Sequence, residues 1–213
     1  MTAAFSCATP SAGSAAITGF PNYPQGKIYN GYRFGMKQWE WLDGVRVLRV
    51  PTVIDRSRSA IRRIMSYLSF TASASLWGVV SAGQPDLIWS YQIGLPGVFL
   101  SKLWRTPLVH EVQDLWPEWG RGGGMGLGTL LYDLLDWQER IIYRNASVVT
   151  TISGGFKEVL KQKGVPEEKI VILPNWANER NFRPVQPNAA LAFKEGLAGK
   201  FSIMYGGNIG TAQ

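Results

Sequence analysis

The chain has 213 residues, of which 46% are hydrophobic and 17% charged, so it can form a packed core and is not globally disordered. Its single cysteine, Cys7, excludes a disulfide framework and a cysteine-based zinc site, and it fits a reducing compartment such as the cytoplasm. The formal net charge of +7 is concentrated between Lys27 and Arg63, where nine basic residues face three acidic ones. This concentration indicates an anionic partner (a membrane surface, phosphates or nucleic acid), and the alternative is an ordinary solvated face.

The first part of the chain predicts little regular structure before residue 45. Residues 1–16 are rich in Ala, Ser and Thr without a period, which indicates an irregular or abnormal start and no secretory signal. Gly19–Lys27 reads as a loop because of its Gly and Pro content. Val45–Pro51 follows as a strand that ends at its proline.

A helix with an arginine-rich start is predicted next. Apolar residues recur at helical spacing from Ile61 to Val79, and Arg58, Arg62 and Arg63 gather at the first turns, with Ser59 as the predicted cap. Arginines oppose the helix dipole there, which indicates an external anion, although a nearby carboxylate would serve equally. Residues 64–83 are uncharged over the length of a membrane span, but their serines favour a buried or membrane-surface helix.

Strands and helices then alternate up to Pro174. Short apolar runs predict strands, and periodic segments between them predict helices. The predicted strands are 87–91, 108–112, 147–153 and 169–173, and the predicted helices are 95–103, 125–144 and 153–163. This alternation predicts an α/β fold with a Rossmann-like, doubly wound parallel sheet, in which ligands bind beyond the carboxyl ends of the strands.

The last forty residues read as a linker and the start of another domain. Residues 174–199 are mixed polar and contain three prolines, and Phe201–Gly210 reads as a strand that runs into a glycine turn. The predicted organisation is an irregular start (1–16), a Rossmann-like domain (17–173), a linker (174–199) and the first strand of a second Rossmann-like domain (200–213). The second domain is expected to be truncated.

Two groups of side chains are candidate binding residues in the first domain. Glu111, Asp114 and Glu118 lie at or beyond a strand end, where carboxylates can accept hydrogen bonds from sugar hydroxyls or act as a base. Capping of the next helix or pairing with arginines is the alternative. Tyr23 and Lys27 lie on a proline-bracketed loop that could hold an acceptor sugar or phosphate, and an ordinary surface loop is equally compatible.

Three other features are weaker indications of a functional site. Residues 205–210 (YGGNIG) could bring backbone N–H groups to a phosphate, but Tyr205 replaces the first glycine of the dinucleotide fingerprint. Asn175, directly after a strand, either contacts substrate or satisfies turn groups. His110, the only histidine, lies inside a strand without a nucleophile motif and is predicted to be a packed core residue.

Six motifs occur in a fixed order along the chain: TGFPNYPQGKIYNGY, DGVRVLRVP, RSRSAIRRIMSYLSF, VHEVQDLWPE, SVVTTISGGFKEVLKQKGVPEEKIVILPNW and MYGGNIGTAQ. Together they resemble the family 4 glycosyltransferases, in their WbuB-like and colanic-acid-type branch. The resemblance covers Ile17 to Gln213.

The resemblance implies the GT-B fold, in which two Rossmann-like domains handle the acceptor and the nucleotide-sugar donor. It implies sugar transfer with retention of configuration and without a metal or other cofactor. The implied acceptors are lipid-linked or oligosaccharide acceptors in surface polysaccharide synthesis, at an anionic membrane surface on the cytoplasmic side. Glu111, Asp114 and Glu118 then match the acceptor-side motif, and Asn175, Gly207 and Asn208 match the edge of the donor site.

The chain also departs from the family pattern. Residues 1–16 replace a strand and a glycine-rich loop, the donor-domain basic residues and glutamates are missing, and Thr211 stands where relatives often have a basic residue. No catalytic residue is therefore assigned, and the chain by itself is expected to be inactive. The alternative function is a non-catalytic membrane-surface or partner-binding module, and nucleic-acid binding is not expected because no recognition motif is present.

Overall fold

The computed structural model describes residues 5–9, 13–22, 26–33, 35–42, 44–54, 60–115, 129–175, 177–178 and 180–206. The chain divides into two compact units, Met1–Pro174 and Asn175–Gln213. Tyr23, Arg58, Ser59, Glu118, Gly207 and Asn208 lie outside the described residues, as does the side chain of Arg63.

Eight strands form one sheet in the first unit, in the order β3-β4-β2-β1-β5-β6-β7-β8. The strands are β1 Phe5–Thr9, β2 Gly13–Gly19, β3 Gln38–Leu42, β4 Val45–Val50, β5 Leu87–Tyr91, β6 Leu108–Val112, β7 Val148–Thr151 and β8 Ile170–Ile172. The helices of this unit are α1 Ala60–Trp77, continued by a π-helical turn Gly78–Ala82, then α2 Leu95–Trp104, α3 Thr129–Asn145, α4 Gly154–Gln162 and a 3₁₀ turn Glu167–Lys169.

The sheet is mainly parallel. Strands β5 to β8 pair in parallel, β2 pairs in parallel with β4, and β1 is antiparallel to both β2 and β5. Strands β2, β4 and β5 to β8 therefore all run in one direction, and their carboxyl ends meet at one edge, which we call the carboxyl edge. The predicted α/β class with a Rossmann-like parallel sheet flanked by helices is confirmed.

Three strands, β1 to β3, lie where the sequence indicated none. β1 and the start of β2 occupy the segment 1–16 that was predicted to be irregular. Their small side chains carry no periodic signal, but each residue of β1 from Phe5 to Ala8 is paired on both sides, so the ladder fixes the strand. The unpredicted β3 alternates Trp39 and Trp41 with Glu40, a period of two that is typical of a strand.

The helices pack on one face of the sheet. The crossovers from β5 to β8 advance in one direction, and right-handed crossovers of this kind place successive helices on the same side. A Cβ on Gly78 would lie 3.3 Å from Ile17 Cδ1, and one on Gly94 would lie 2.9 Å from His110 Cε1. The helices thus cover the face that carries Ile17 and His110, and the core on that face also contains Leu48 and Val149.

The second unit contains one short helix, α5 Ala189–Lys194, among its described residues. Asn188 caps this helix by accepting a hydrogen bond from Leu191 N at 2.9 Å. The strand predicted over Phe201–Gly210 is absent from its described part, 201–206. No described strand pairs with this segment, and a strand without a partner leaves its backbone groups to water.

Within the described part of the chain, no helix is long and apolar enough to cross a membrane.

Candidate functional site

Glu111 is held at the carboxyl edge by two side-chain donors. It is the fourth residue of β6, and its Oε2 accepts a hydrogen bond from Trp89 Nε1 at 2.9 Å. Its Oε1 accepts one from Gln113 Nε2 at 2.6 Å. A carboxylate can accept about four hydrogen bonds, so Glu111 is oriented and retains capacity for further donors such as hydroxyls.

Asp114 lies two residues beyond β6 and contacts the end of the neighbouring strand. Its Oδ2 accepts a hydrogen bond from Gln92 Nε2 at 3.0 Å. Gln92 directly follows β5 and has a φ of 57°, a left-handed conformation that is uncommon for a residue other than glycine. The backbone there turns sharply, and Ile93 N donates to Tyr91 O at 2.7 Å.

Tyr91 completes the group at the ends of β5 and β6. Burial raises the pKa of its hydroxyl, and the negative charges of Asp114 and Glu111 raise it further. The phenol therefore stays protonated at neutral pH and can donate a hydrogen bond. Tyr91, Gln92, Glu111 and Asp114 form one cluster, which we call the edge cluster.

The register of the sheet places Glu111 in a polar row. Thr18 pairs with Arg49, and Tyr91, Glu111 and Thr150 are in register across β5, β6 and β7. Because Phe5 pairs with both Ile17 and Ser90, Thr18 lies level with Tyr91. In-register side chains project from the same face, so these five side chains share the face opposite the one that carries His110.

A buried arginine organises the carboxyl end of β2. Arg49 is 7% exposed, pairs with Glu40 at 2.6 Å and donates to Gly19 O at 3.2 Å. Tyr32 donates to the other oxygen of Glu40 at 2.9 Å, and this hydrogen bond is the largest cause of the raised pKa of Tyr32. These contacts fix the start of the loop that carries Lys27.

The end of β7 leads into a glycine-rich helix start at the same edge. Ser153 caps α4, and its Oγ accepts a hydrogen bond from Phe156 N at 3.3 Å. Gly154 and Gly155 follow and are exposed. The carboxyl edge therefore presents carboxylates, an amide, a phenol and the start of a helix, which are groups that can recognise polyhydroxylated ligands.

His110 is a core residue, as predicted. It is 4% exposed, and Ser90 Oγ lies 2.8 Å from its Nδ1. Burial lowers its pKa from 6.5 to about 4, so the imidazole is neutral near pH 7. Among the described residues there is no group of three or more His, Cys, Asp or Glu side chains that could hold a metal ion.

The predicted site residues that the structure describes lie on different elements. Glu111 and Asp114 lie in the edge cluster, and Lys27 is exposed on the loop after β2. Asn175 is exposed and begins the second unit. Arg62 is exposed in the first turn of α1. The binding roles of these residues stay predictions.

The prediction from sequence missed Tyr91 and Gln92. Both stand at the end of β5, the strand next to β6, where the same position argument that selected Glu111 applies. The available signal was their position, because Tyr91 is the last residue of the predicted strand 87–91 and Gln92 directly follows it.

Comparison with known proteins shows the family to which this chain belongs. The model of the family described as glycosyl transferase 4-like domain matches residues 16–176. The chain belongs to the glycosyl transferase 4-like domain family. It is also 29% identical over 212 residues to the putative colanic acid biosynthesis glycosyl transferase WcaI of Escherichia coli (strain K12). The aligned region covers 92% of this chain and 51% of that protein. The chain thus spans about half the length of this relative.

The match to the glycosyl transferase 4-like family includes the whole edge cluster and the parallel strands that carry it. It ends two residues after the boundary between the two compact units. The described first unit from β2 onward is therefore the part of the molecule to which the family assignment applies.

Proposed function

We propose that the first unit is the acceptor-side domain of a retaining glycosyltransferase, which moves a sugar from a nucleotide-sugar to a lipid-linked sugar acceptor in bacterial surface polysaccharide synthesis. The observation that carries this proposal is the edge cluster at the carboxyl edge of a glycosyl transferase 4-like domain. The similarity to a putative colanic acid biosynthesis transferase supports polysaccharide synthesis as the setting.

Each member of the edge cluster has a role in this proposal. Glu111 and Asp114 accept hydrogen bonds from acceptor hydroxyls, and their orientation is set by Trp89, Gln113 and Gln92 before the ligand arrives. Tyr91 donates a hydrogen bond from its phenol hydroxyl, whose pKa is raised by burial and by the negative charges of Asp114 and Glu111. Glu118, Tyr23 and Lys27 extend the acceptor site in this proposal.

The donor side is proposed for the second unit, with Asn175, Gly207 and Asn208 at its edge and without a metal cofactor. The protein is proposed to work at the cytoplasmic face of the membrane, where Arg58, Arg62 and Arg63 contact anionic headgroups. Arg62 supports this contact, because it is exposed at the start of a helix that has no acidic residue in its first turn.

The 213-residue chain by itself is expected to transfer no sugar. Residues 201–206, next to the proposed donor residues, form no strand, and Phe201 is 94% exposed. A donor site needs a rigid support for its phosphate-binding groups. Measurable transfer from a nucleotide-sugar by the purified chain would contradict this expectation.

Ligand binding tests the acceptor assignment without requiring turnover. Short-chain prenyl diphosphate sugars are titrated into the whole chain in a calorimeter. Glu111→Gln and Asp114→Asn are each expected to weaken binding about tenfold, because each replaces a charged hydrogen-bond acceptor by a neutral amide. The matched control is Glu168→Gln, an exposed carboxylate in the 3₁₀ turn before β8, at the opposite edge of the sheet.

The outcomes of this titration separate the two functions that the sequence left open. Binding that is weakened about tenfold in both edge variants and unchanged in Glu168→Gln supports the acceptor site. A chain that binds none of the sugars, while its fold is intact by circular dichroism, is a membrane-surface or partner-binding module instead.

A further inference from the structure

Helix α1 and the π-helical turn after it carry a stripe of large apolar side chains on their outer surface. Ile61, Met65, Leu68, Leu76 and Val80 are between 51% and 71% exposed. Their spacing follows helical turns, so they form one continuous line, which we call the α1 stripe. The periodicity seen in the sequence is therefore that of an outer face, not of a core face.

The inner face of α1 and the turn after it carries small and polar residues besides the buried Phe70. Ala74 is fully buried, and a Cβ on Gly78 would lie 2.8 Å from Leu100 Cδ1. Ser69 Oγ accepts a hydrogen bond from Val53 N at 2.8 Å and donates one to Ser66 O at 2.9 Å. The helix is thus fixed to the sheet through this face, with Phe70 as its one large buried anchor.

The charged residues within α1 and the turn after it have one sign. No acidic residue occurs from Ala60 to Pro85. Arg62 is exposed at one end of the stripe, and at the other end Lys37 Nζ lies 2.9 Å from Ser81 Oγ and 4.9 Å from the centre of the Trp77 ring. A line of aliphatic side chains between two cationic ends complements an anionic surface with an apolar interior.

We propose that the α1 stripe inserts into the boundary between headgroups and acyl chains of an anionic lipid surface, with α1 lying in the plane of that surface. Its 18 residues correspond to about 27 Å of helix, which is long enough to lie along a membrane surface. Arg62 and Lys37 contact lipid phosphates at the two ends. This inference rests on the proposed function, in which the lipid-linked acceptor lies in the same lipid surface.

Vesicle flotation with the whole chain tests the insertion. The vesicles contain phosphatidylcholine with an equal part of phosphatidylglycerol, and neither donor nor sugar lipid is added. Leu68→Gln/Leu76→Gln is expected to reduce the vesicle-bound fraction about tenfold, because the inserted apolar area is lost. The matched control is Leu134→Gln/Trp137→Gln on α3, where the two side chains are 52% and 60% exposed. Equal flotation of the stripe variant and the unmodified chain overturns the proposal.

A fluorescent label reports insertion directly. Cys7 is the only cysteine, so Cys7→Ser combined with Leu68→Cys carries one environment-sensitive dye. The dye at position 68 is expected to increase in intensity and shift to the blue on addition of the vesicles, and a dye at Leu134→Cys is expected to stay unchanged. A dye at position 68 that remains in a water-like environment while the protein floats contradicts insertion.

A second copy of the chain is the competing occupant of the α1 stripe. Light scattering without lipid is expected to show a monomer for both the unmodified chain and Leu68→Gln/Leu76→Gln. A dimer that the stripe variant dissociates overturns the lipid proposal. Flotation without sugar binding contradicts only the proposed acceptor site, and sugar binding without flotation contradicts only the insertion, so the two failures are distinguishable.

Discussion

Gly94 shows how little space the first unit leaves between its helices and its sheet. It precedes α2 with a φ of −84°, so its backbone does not require glycine. A Cβ at this position would lie 2.7 Å from Ile142 Cγ2 and 2.9 Å from His110 Cε1, closer than real Cβ contacts. The small residue is therefore needed for packing between α2, α3 and β6.

Gly94→Ala is expected to lower the free energy of unfolding by about 1–3 kcal/mol, because the added methyl group overpacks a full core. Urea denaturation measures the change. Gly154→Ala is the matched control, since a Cβ there meets nothing within 4 Å and alanine favours a helix. The packing argument is wrong if the two variants have equal midpoints.

His110 makes the stability of the fold depend on pH. Its pKa in the folded protein, about 4, is below its value of 6.5 in an unfolded chain. The unfolded state therefore binds the extra proton first, and the stability contribution is complete above pH 6.5 and lost as the pH falls towards 4.

Between pH 7 and about pH 4.5, this residue is expected to remove about 2–3 kcal/mol from the free energy of unfolding, at 1.36 kcal/mol for each pKa unit. His110→Asn keeps a polar group near Ser90 and cannot titrate. Denaturant curves of both proteins, recorded at each pH and subtracted, isolate the contribution of the imidazole from that of the carboxylates. Parallel curves across this range would contradict a neutral buried His110.

At the scale of elements, α4 depends on its cap at the carboxyl edge. Ser153 is in an extended conformation and its hydroxyl satisfies one of the free N–H groups at the helix start. Ser153→Ala is expected to cost about 1 kcal/mol of unfolding free energy, and Ser153→Asp is expected to retain it, because aspartate also accepts the hydrogen bond. Thermal unfolding of the three proteins checks the order, and equal losses in both variants would contradict a capping role.

The elements that sequence predicted best are those with self-contained signals. Strands β5 to β8 are short apolar runs bounded by Pro, Gly or polar residues, and the helices between them follow a period of 3.6. β1 has no such signal, because its identity comes from pairing with β2 and β5. The strand predicted over Phe201–Gly210 is not formed in its described part, 201–206, for the reverse reason: a good local pattern has no partner among the described strands.

The helical period of apolar residues also does not decide whether the apolar face of a helix packs on the sheet or faces solvent. The spacing of Ile61, Met65 and Leu68 identified α1 but did not say whether that face is covered by the sheet. Ala74 and Gly78 indicate which face packs on the sheet, because only small side chains allow the helix to approach the sheet closely. The predicted order of the strands was enough to place Glu111 and Asp114 at the carboxyl edge. The hydrogen bond from Gln92 to Asp114 could not be predicted in this way, because it depends on the positions of the two side chains in the fold.

At the scale of the whole molecule, the hydrophobic core belongs to the first unit. The buried core residues run from Ile17 to Ile170, and the second unit leaves Phe201, Ile203 and Met204 at least 89% exposed. The two units therefore differ in how much of their apolar surface folding removes from water.

A chain that ends at Pro174 is expected to unfold cooperatively, with a free energy within about 0.5 kcal/mol of that of the 213-residue chain. It is expected to bind less of a dye that reports exposed apolar surface, because the side chains near residue 203 are removed. Calorimetry and dye fluorescence measure the two properties. A large loss of stability in the shorter chain would show that the second unit supports the core.

The left-handed backbone of Gln92 creates a conflict between the thermal stability of the fold and the orientation of Asp114. A glycine at this position would relieve about 1 kcal/mol of backbone strain, so selection for thermal tolerance alone would favour it. That exchange would also delete the amide that orients Asp114. Directed evolution for heat resistance would therefore favour substitution at position 92, and under the proposed function the selected variants would bind acceptor less well than the original protein.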